Sequence, residues 1–123
     1  MAVIVLFFTA ALASQESQSG AKSEYTKQAI EYLIKKVGSS QFTFIRNGEK
    51  HSSEEAVEHI RLKYGYFKSR IKSPEDFIRL CATKSILSGE PYMVITPQGK
   101  VTVASWLLQI LSEYRTALGL PNH

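Results

Sequence analysis

Phe44-Ile45-Arg46-Asn47-Gly48, followed by Ser52-Ser53-Glu54-Glu55-Ala56-Val57 and a periodic run to Ile71, is the stretch that decides the fold. Asn47-Gly48 tolerates positive φ, so it predicts a tight turn at the end of a strand. Ser52 with Glu55 three residues on has the form of a capping box, in which each side chain accepts from the other residue's backbone N–H. A helix over 53–71 follows. Ala56, Val57, Ile60, Tyr64, Phe67 and Ile71 gather within about 100° of its circumference, the width of a core-facing stripe. Glu55, His59, Lys63, Tyr66 and Arg70 line one flank, beginning with two i, i+4 steps, and read as a solvated polar ladder. Strand, turn, cap and amphipathic helix thus form one unit against which the remaining apolar faces can pack.

Working outward, Gln41–Arg46 is rich in aromatic and β-branched residues, which predicts the strand itself. Ser23 is placed to cap a helix over 24–37, with Ile30, Leu33, Ile34 and Val37 on one face and Gly38 as its stop. Ser73-Pro74-Glu75-Asp76 opens another helix, with Pro at its first position and acids in its first turn. Phe77, Ile78, Leu80 and Cys81 give that helix its apolar face. Ser88-Gly89-Glu90-Pro91 breaks the chain, and Tyr92–Thr96 with Lys100–Val103 reads as a hairpin turning at Pro97 to Gly99. A last helix over 104–118 presents Trp106, Leu107, Ile110 and Tyr114, and Gly119 and Pro121 stop it. The order α-β-α-α-β-β-α predicts a single small α+β domain over 23–120. About four helices pack with a short three-stranded, mainly antiparallel sheet.

Residues 1–13 are uncharged and apolar and end in Ala11-Leu12-Ala13, the small-x-small form of a signal-peptide cleavage site. The run is too short to span a bilayer, which takes roughly 20 residues. A signal peptide over 1–13 and a flexible polar leader over 14–22 are therefore expected, with an exported chain and no stable membrane insertion after cleavage. A net charge of +4 permits attraction to anionic surfaces. Nucleic acid is not expected as a partner, because the basic groups lack interleaved exposed aromatics. Cys81 is the single cysteine, so no internal disulfide can form.

Chemistry-bearing patterns are sparse. The chain has no nucleophile elbow, P-loop, dinucleotide fingerprint, zincin motif or Cys-x-x-Cys. Ser69-Arg70-Ile71-Lys72 matches Ser-x-x-Lys without the companion elements of that enzyme class. His51, Glu55 and His59 have part of a metal-site spacing but no evident fourth ligand, and no metal is assigned. Cys81 lies mid-face beside Phe77 and Ile78 and reads as a small buried hydrophobe. Arg46, His59, Arg61, Lys63, Lys68, Arg70 and Lys72 make the middle of the chain basic and, with Asn47, could bind a carboxylate or phosphate; the candidate binding residues are Arg46, Asn47, Glu55, His59, Lys63 and Arg70. If Phe42 and Phe44 point inward, alternation sends Arg46 toward the helix. There it could pair with Glu55 to fix the corner, or join His59 and Arg70 in holding an anion most tightly below about pH 6.5.

Phe44-Ile-Arg-Asn-Gly48, Ser52-x-Glu-Glu-Ala56, His59-x-Arg61-x-Lys63, Arg70-Ile71, Phe77-Ile78 and Ser88-Gly-x-Pro-Tyr92 together resemble the YfeK-like family. These are small exported bacterial proteins carrying a domain of unknown function, and the likeness covers roughly residues 25–116. The resemblance implies one α+β domain in the bacterial envelope, periplasmic in a Gram-negative cell, and transfers no catalytic residue and no cofactor. The expectation is a non-enzymatic binding or accessory module for an envelope protein or anionic envelope component. The alternative is a small hydrolase-like enzyme with Glu55 and His59 as acid and base.

Overall fold

The computed structural model describes residues 2–122, with side chains from Ser19 onward. The expected signal peptide, residues 1–13, lies outside the described side chains. Helix α1 spans Ala2–Ser40, and β1 (Thr43–Arg46) and β2 (Glu49–His51) form a hairpin. Helix α2 (Ser53–Phe67) runs into a 3₁₀ turn at Lys68–Arg70, and α3 (Pro74–Cys81) follows. A second hairpin of β3 (Met93–Thr96) and β4 (Gly99–Thr102) leads into α4 (Val103–Ala117). The chain is α+β, and its sheet is wholly antiparallel in the order β2-β1-β3-β4.

The sheet has four strands, not the expected three. Asn47 and Gly48 take φ of 53° and 77°, the paired positive values of a two-residue hairpin turn, so the chain folds straight back. Glu49, Lys50 and His51 then pair with Arg46, Ile45 and Phe44. Three polar residues carry no alternation of apolar side chains, so this return strand is held by its turn and backbone ladder alone.

Helix α1 passes through Ser23, its expected start, and through Gly38, its expected end. Gly38 serves packing. A Cβ there would sit 3.3 Å from Val57 Cγ2 on α2, so its absence lets the two helices approach. The stop comes at Gln41, which takes the left-handed conformation at φ 57°, while Ser40 Oγ donates to the Val37 carbonyl and accepts from Phe42 N–H. The α2 capping box is complete, with Ser52 Oγ accepting from Glu55 N at 3.1 Å and Glu55 Oε1 accepting from Ser52 N at 3.0 Å. The α2 helix ends four residues before the expected Ile71, at Phe67, where the backbone tightens into the 3₁₀ turn.

The core lies between the four helices and the sheet face that carries Phe44 and Val94. Ile30, Leu33 and Val37 of α1 meet Phe77 and Cys81 of α3 and Leu107 and Leu111 of α4, all essentially inaccessible. This arrangement seats β1 beside α2, with the 83–92 segment on the other side of α2's flank.

Candidate functional site

Arg46 ends β1 on the same sheet face as Phe44, so its side chain turns toward α2. Its Nη1 donates to His59 Nδ1 at 3.1 Å. His59 Nε2 lies 3.0 Å from the Tyr92 hydroxyl, with the two rings edge to face. One helical turn on, Lys63 Nζ donates to the same hydroxyl at 3.2 Å and to the Lys84 carbonyl at 3.1 Å. Tyr92 is fixed by its own backbone, donating N–H to Thr83 O and accepting from Val103 N–H.

Protonation follows from these partners. A guanidinium can only donate, so His59 Nδ1 is the acceptor and Nε2 carries the hydrogen. His59 Nε2–H and Lys63 then both donate to Tyr92 Oη, occupying its two lone pairs. The Tyr92 hydroxyl proton is left without an acceptor among the described residues. Both ends of the relay, Arg46 and Lys63, are donors, and Tyr92 between them keeps one unmatched donor.

Burial first, then the charges of Arg46 and Lys63, lowers the His59 pKa to about 4, so the ring is neutral at neutral pH. Burial likewise lowers the Lys63 pKa and raises that of Tyr92. Lys63 is only 8% exposed. Among the described residues neither Arg46 nor Lys63 has a carboxylate within ion-pair distance.

A cavity of about 40 Å³ opens beside the relay, with Arg46, His51, Glu55, His59 and Tyr92 in its wall and Phe44, Ile60 and Val103 among its apolar lining. His51 Nε2 is buried without a hydrogen-bond partner, and Glu49 Oε2 is 4.0 Å away. His51 Nδ1 lies 3.6 Å from Glu55 Oε2. The Glu55 carboxylate is occupied by the cap, whose backbone hydrogen bond from Ser52 holds its pKa below the usual range. Both His59 nitrogens are engaged. Among the described residues no three His, Cys, Asp or Glu side chains are grouped closely enough to hold a metal.

Residues 23–115 match the model of DUF5329, a family of unknown function. The chain belongs to the DUF5329 family. It is also 50% identical over 50 residues to the uncharacterized protein YfeK of Salmonella typhimurium, a match covering 41% of this chain and 42% of that protein. The chain therefore aligns with less than half of that curated relative. No solved structure matches. The YfeK-like resemblance read from the motifs is thus shown, and the DUF5329 match runs from Ser23 within α1 to Arg115 within α4.

Within this DUF5329 domain the expected site residues separate into three groups. Arg46, Glu55 and His59 line one cavity, and Lys63 joins them through Tyr92. Lys63 was expected on a solvated ladder and is buried instead, because the 83–92 segment folds over that flank. Asn47 sits at the exposed hairpin turn, where its Oδ1 accepts from Ser88 Oγ. Arg70 lies in the 3₁₀ turn over the Phe67 ring, apart from the cavity. The expected Arg46–Glu55 corner pair does not form, since Arg46 reaches His59 and Glu55 stays with Ser52 and His51. Tyr92 was missed as a site residue. Its inward position follows from alternation with Val94, but nothing in its spacing announces a contact with α2.

Proposed function

We propose that this chain is an exported, non-enzymatic binding module whose cavity takes a carboxylate from an envelope protein or an acidic envelope component. The observation that carries this reading is the excess of donors in the relay. Arg46 and Lys63 lack carboxylate partners among the described residues, and the Tyr92 hydroxyl lacks an acceptor. A bound anion would supply what all three want. The cavity is small, about 40 Å³, and well above the roughly 10–15 Å³ that one water needs, so it has room for a small anionic group. The orphaned His51 Nε2 adds one more polar group to the same wall.

The convergence of Arg46, Glu55 and His59 on one cavity also meets the first requirement of an acid–base enzyme. Their protonation argues against that role. A general acid needs a raised carboxyl pKa, and that of Glu55 is lowered. A general base needs a free lone pair, and that of His59 is taken by Arg46.

The test follows the His59 ring by NMR during titration with acetate, with inorganic phosphate in a parallel titration. Bound carboxylate offsets the Arg46 and Lys63 charges, so the His59 pKa should rise from about 4, and Arg46→Gln should abolish the response. A His59 titration that acetate leaves unmoved would sink the proposal. Export is tested separately by intact mass of the protein recovered from the periplasm of a Gram-negative host, where a chain retaining residues 1–13 would refute it.

A further inference from the structure

A second and larger cleft, about 420 Å³ in volume, lies between α1 and the segment that leaves α2. This is within the range of ordinary small-molecule sites. Lys22 and Lys27 line it from α1, and Lys68 and Lys72 from the 3₁₀ turn and the stretch after it. All four side chains are exposed, and none is in an ion pair among the described residues. Among the described residues no acidic side chain lines the cleft. Two acids close in sequence to the lining residues, Asp76 and Glu24, are engaged elsewhere. Asp76 accepts from the Lys72 backbone N–H at 2.9 Å and from Arg79 at 3.2 Å, and Glu24 accepts from Gln28 at 3.3 Å. Ile30, Tyr64 and Ile71 supply apolar wall and Ser23 a hydroxyl, while the Thr26 hydroxyl donates to the Lys72 carbonyl at 3.5 Å.

Two lysine pairs far apart in sequence are thus brought by the fold around one concave surface. Like charges in such a cleft repel one another, and the concave wall focuses their field outward. Folding gains nothing from that arrangement unless an anion enters. We propose that this cleft binds a polyphosphate group, meaning two or more linked phosphates on a lipid headgroup or on a small soluble molecule. The choice over a single carboxylate rests on charge and size. Four ammonium groups exceed what one negative charge neutralises, and lysine binds phosphate as a point charge without demanding a planar fork. The cleft has ten times the volume of the His59 cavity and shares no residue with it.

The experiment titrates pyrophosphate into isotope-labelled full chain at low ionic strength, reading backbone amide shifts, with single inorganic phosphate in parallel. Saturable shifts are expected at 22–27 and 68–72 and not around His59. The Lys68→Gln/Lys72→Gln double variant should weaken the affinity by about tenfold or more, given two charges removed from a screened surface site. Both lysines are exposed, so the variant should keep its melting temperature. Co-flotation with phosphatidylcholine vesicles doped with farnesyl diphosphate, but not with undoped vesicles, would support a lipid source. Saturable pyrophosphate binding without flotation would support a soluble one. The proposal is overturned by an absence of saturable shifts, by an unchanged affinity in the double variant, or by single phosphate binding as tightly as pyrophosphate.

Discussion

At the scale of single residues, His59 and Lys63 show what helical spacing conveys and what it omits. The i, i+4 steps from Glu55 correctly placed both on one flank of α2. Spacing cannot say what covers a flank, and here the 83–92 segment covers it, burying an ammonium where a solvated one was expected. The same cover moves the charging of His59 from the expected 6.5 to about 4. A folded-state pKa below the unfolded one means that the unfolded chain binds the proton first. The contribution of His59 is therefore neutral above pH 6.5, and it turns destabilising as pH falls from 6.5 toward 4. The ring is partly open to solvent, so the loss is discounted to on the order of 1 kcal/mol. Chemical denaturation of wild type and His59→Gln at pH 7 and pH 4.5 should show a smaller pH loss in the variant. Equal losses would mean that burial and the neighbouring charges do not hold His59 neutral in the folded chain.

Elements were legible wherever a local rule acts. The α2 capping box, the Ser73 cap of α3 and the β3–β4 hairpin need only a few adjacent residues, and each forms where the sequence places it. Strand β2 was not legible because its pairing depends on a turn rather than on apolar alternation. Gly38 was misread for a related reason. A glycine after Lys35 and Lys36 has the form of a helix stop, but the structure uses its missing side chain to admit Val57. Helix propensity alone would favour a larger residue at 38 by about 1 kcal/mol. Gly38→Leu should nevertheless lower stability by about 1–3 kcal/mol, because the added side chain must push α1 from α2. A melting temperature equal to or above that of wild type would show that the contact is not tight.

At the scale of the whole molecule, the apolar stripes were sufficient to assign the α+β class and most of the core, while the ties between distant elements left no trace in local pattern. The clearest such tie is Arg115 of α4, only 14% exposed at its side chain. It donates through Nη1 and Nη2 to the two Glu75 oxygens of α3 at 2.6 and 3.0 Å, and through Nε to the Tyr25 hydroxyl of α1 at 2.8 Å. One guanidinium thereby joins three helices whose residues lie 40 and 90 positions apart. The hydrogen bond from Arg115 holds the Glu75 carboxyl below its ordinary 4.5. Because the folded value is the lower one, the stabilisation is complete above the unfolded pKa and is lost as pH falls through the folded one. The Glu75 side chain is 42% exposed, so screening limits the acid-sensitive part to about 1 kcal/mol or less. Removing the arginine costs more than that, since Tyr25 and Glu75 both lose their partner in a half-buried setting. Arg115→Met, which keeps much of the aliphatic packing, should cost about 1–3 kcal/mol at pH 7 and flatten the loss of stability as pH falls below the ordinary carboxylate range. Glu75→Gln should retain part of the neutral-pH stability and show the same flattening. If both variants keep the wild-type acid slope, the clasp does not couple the helices, and the acid sensitivity of the fold arises from other carboxylates such as Glu31 and Asp76, which are also held low by their partners.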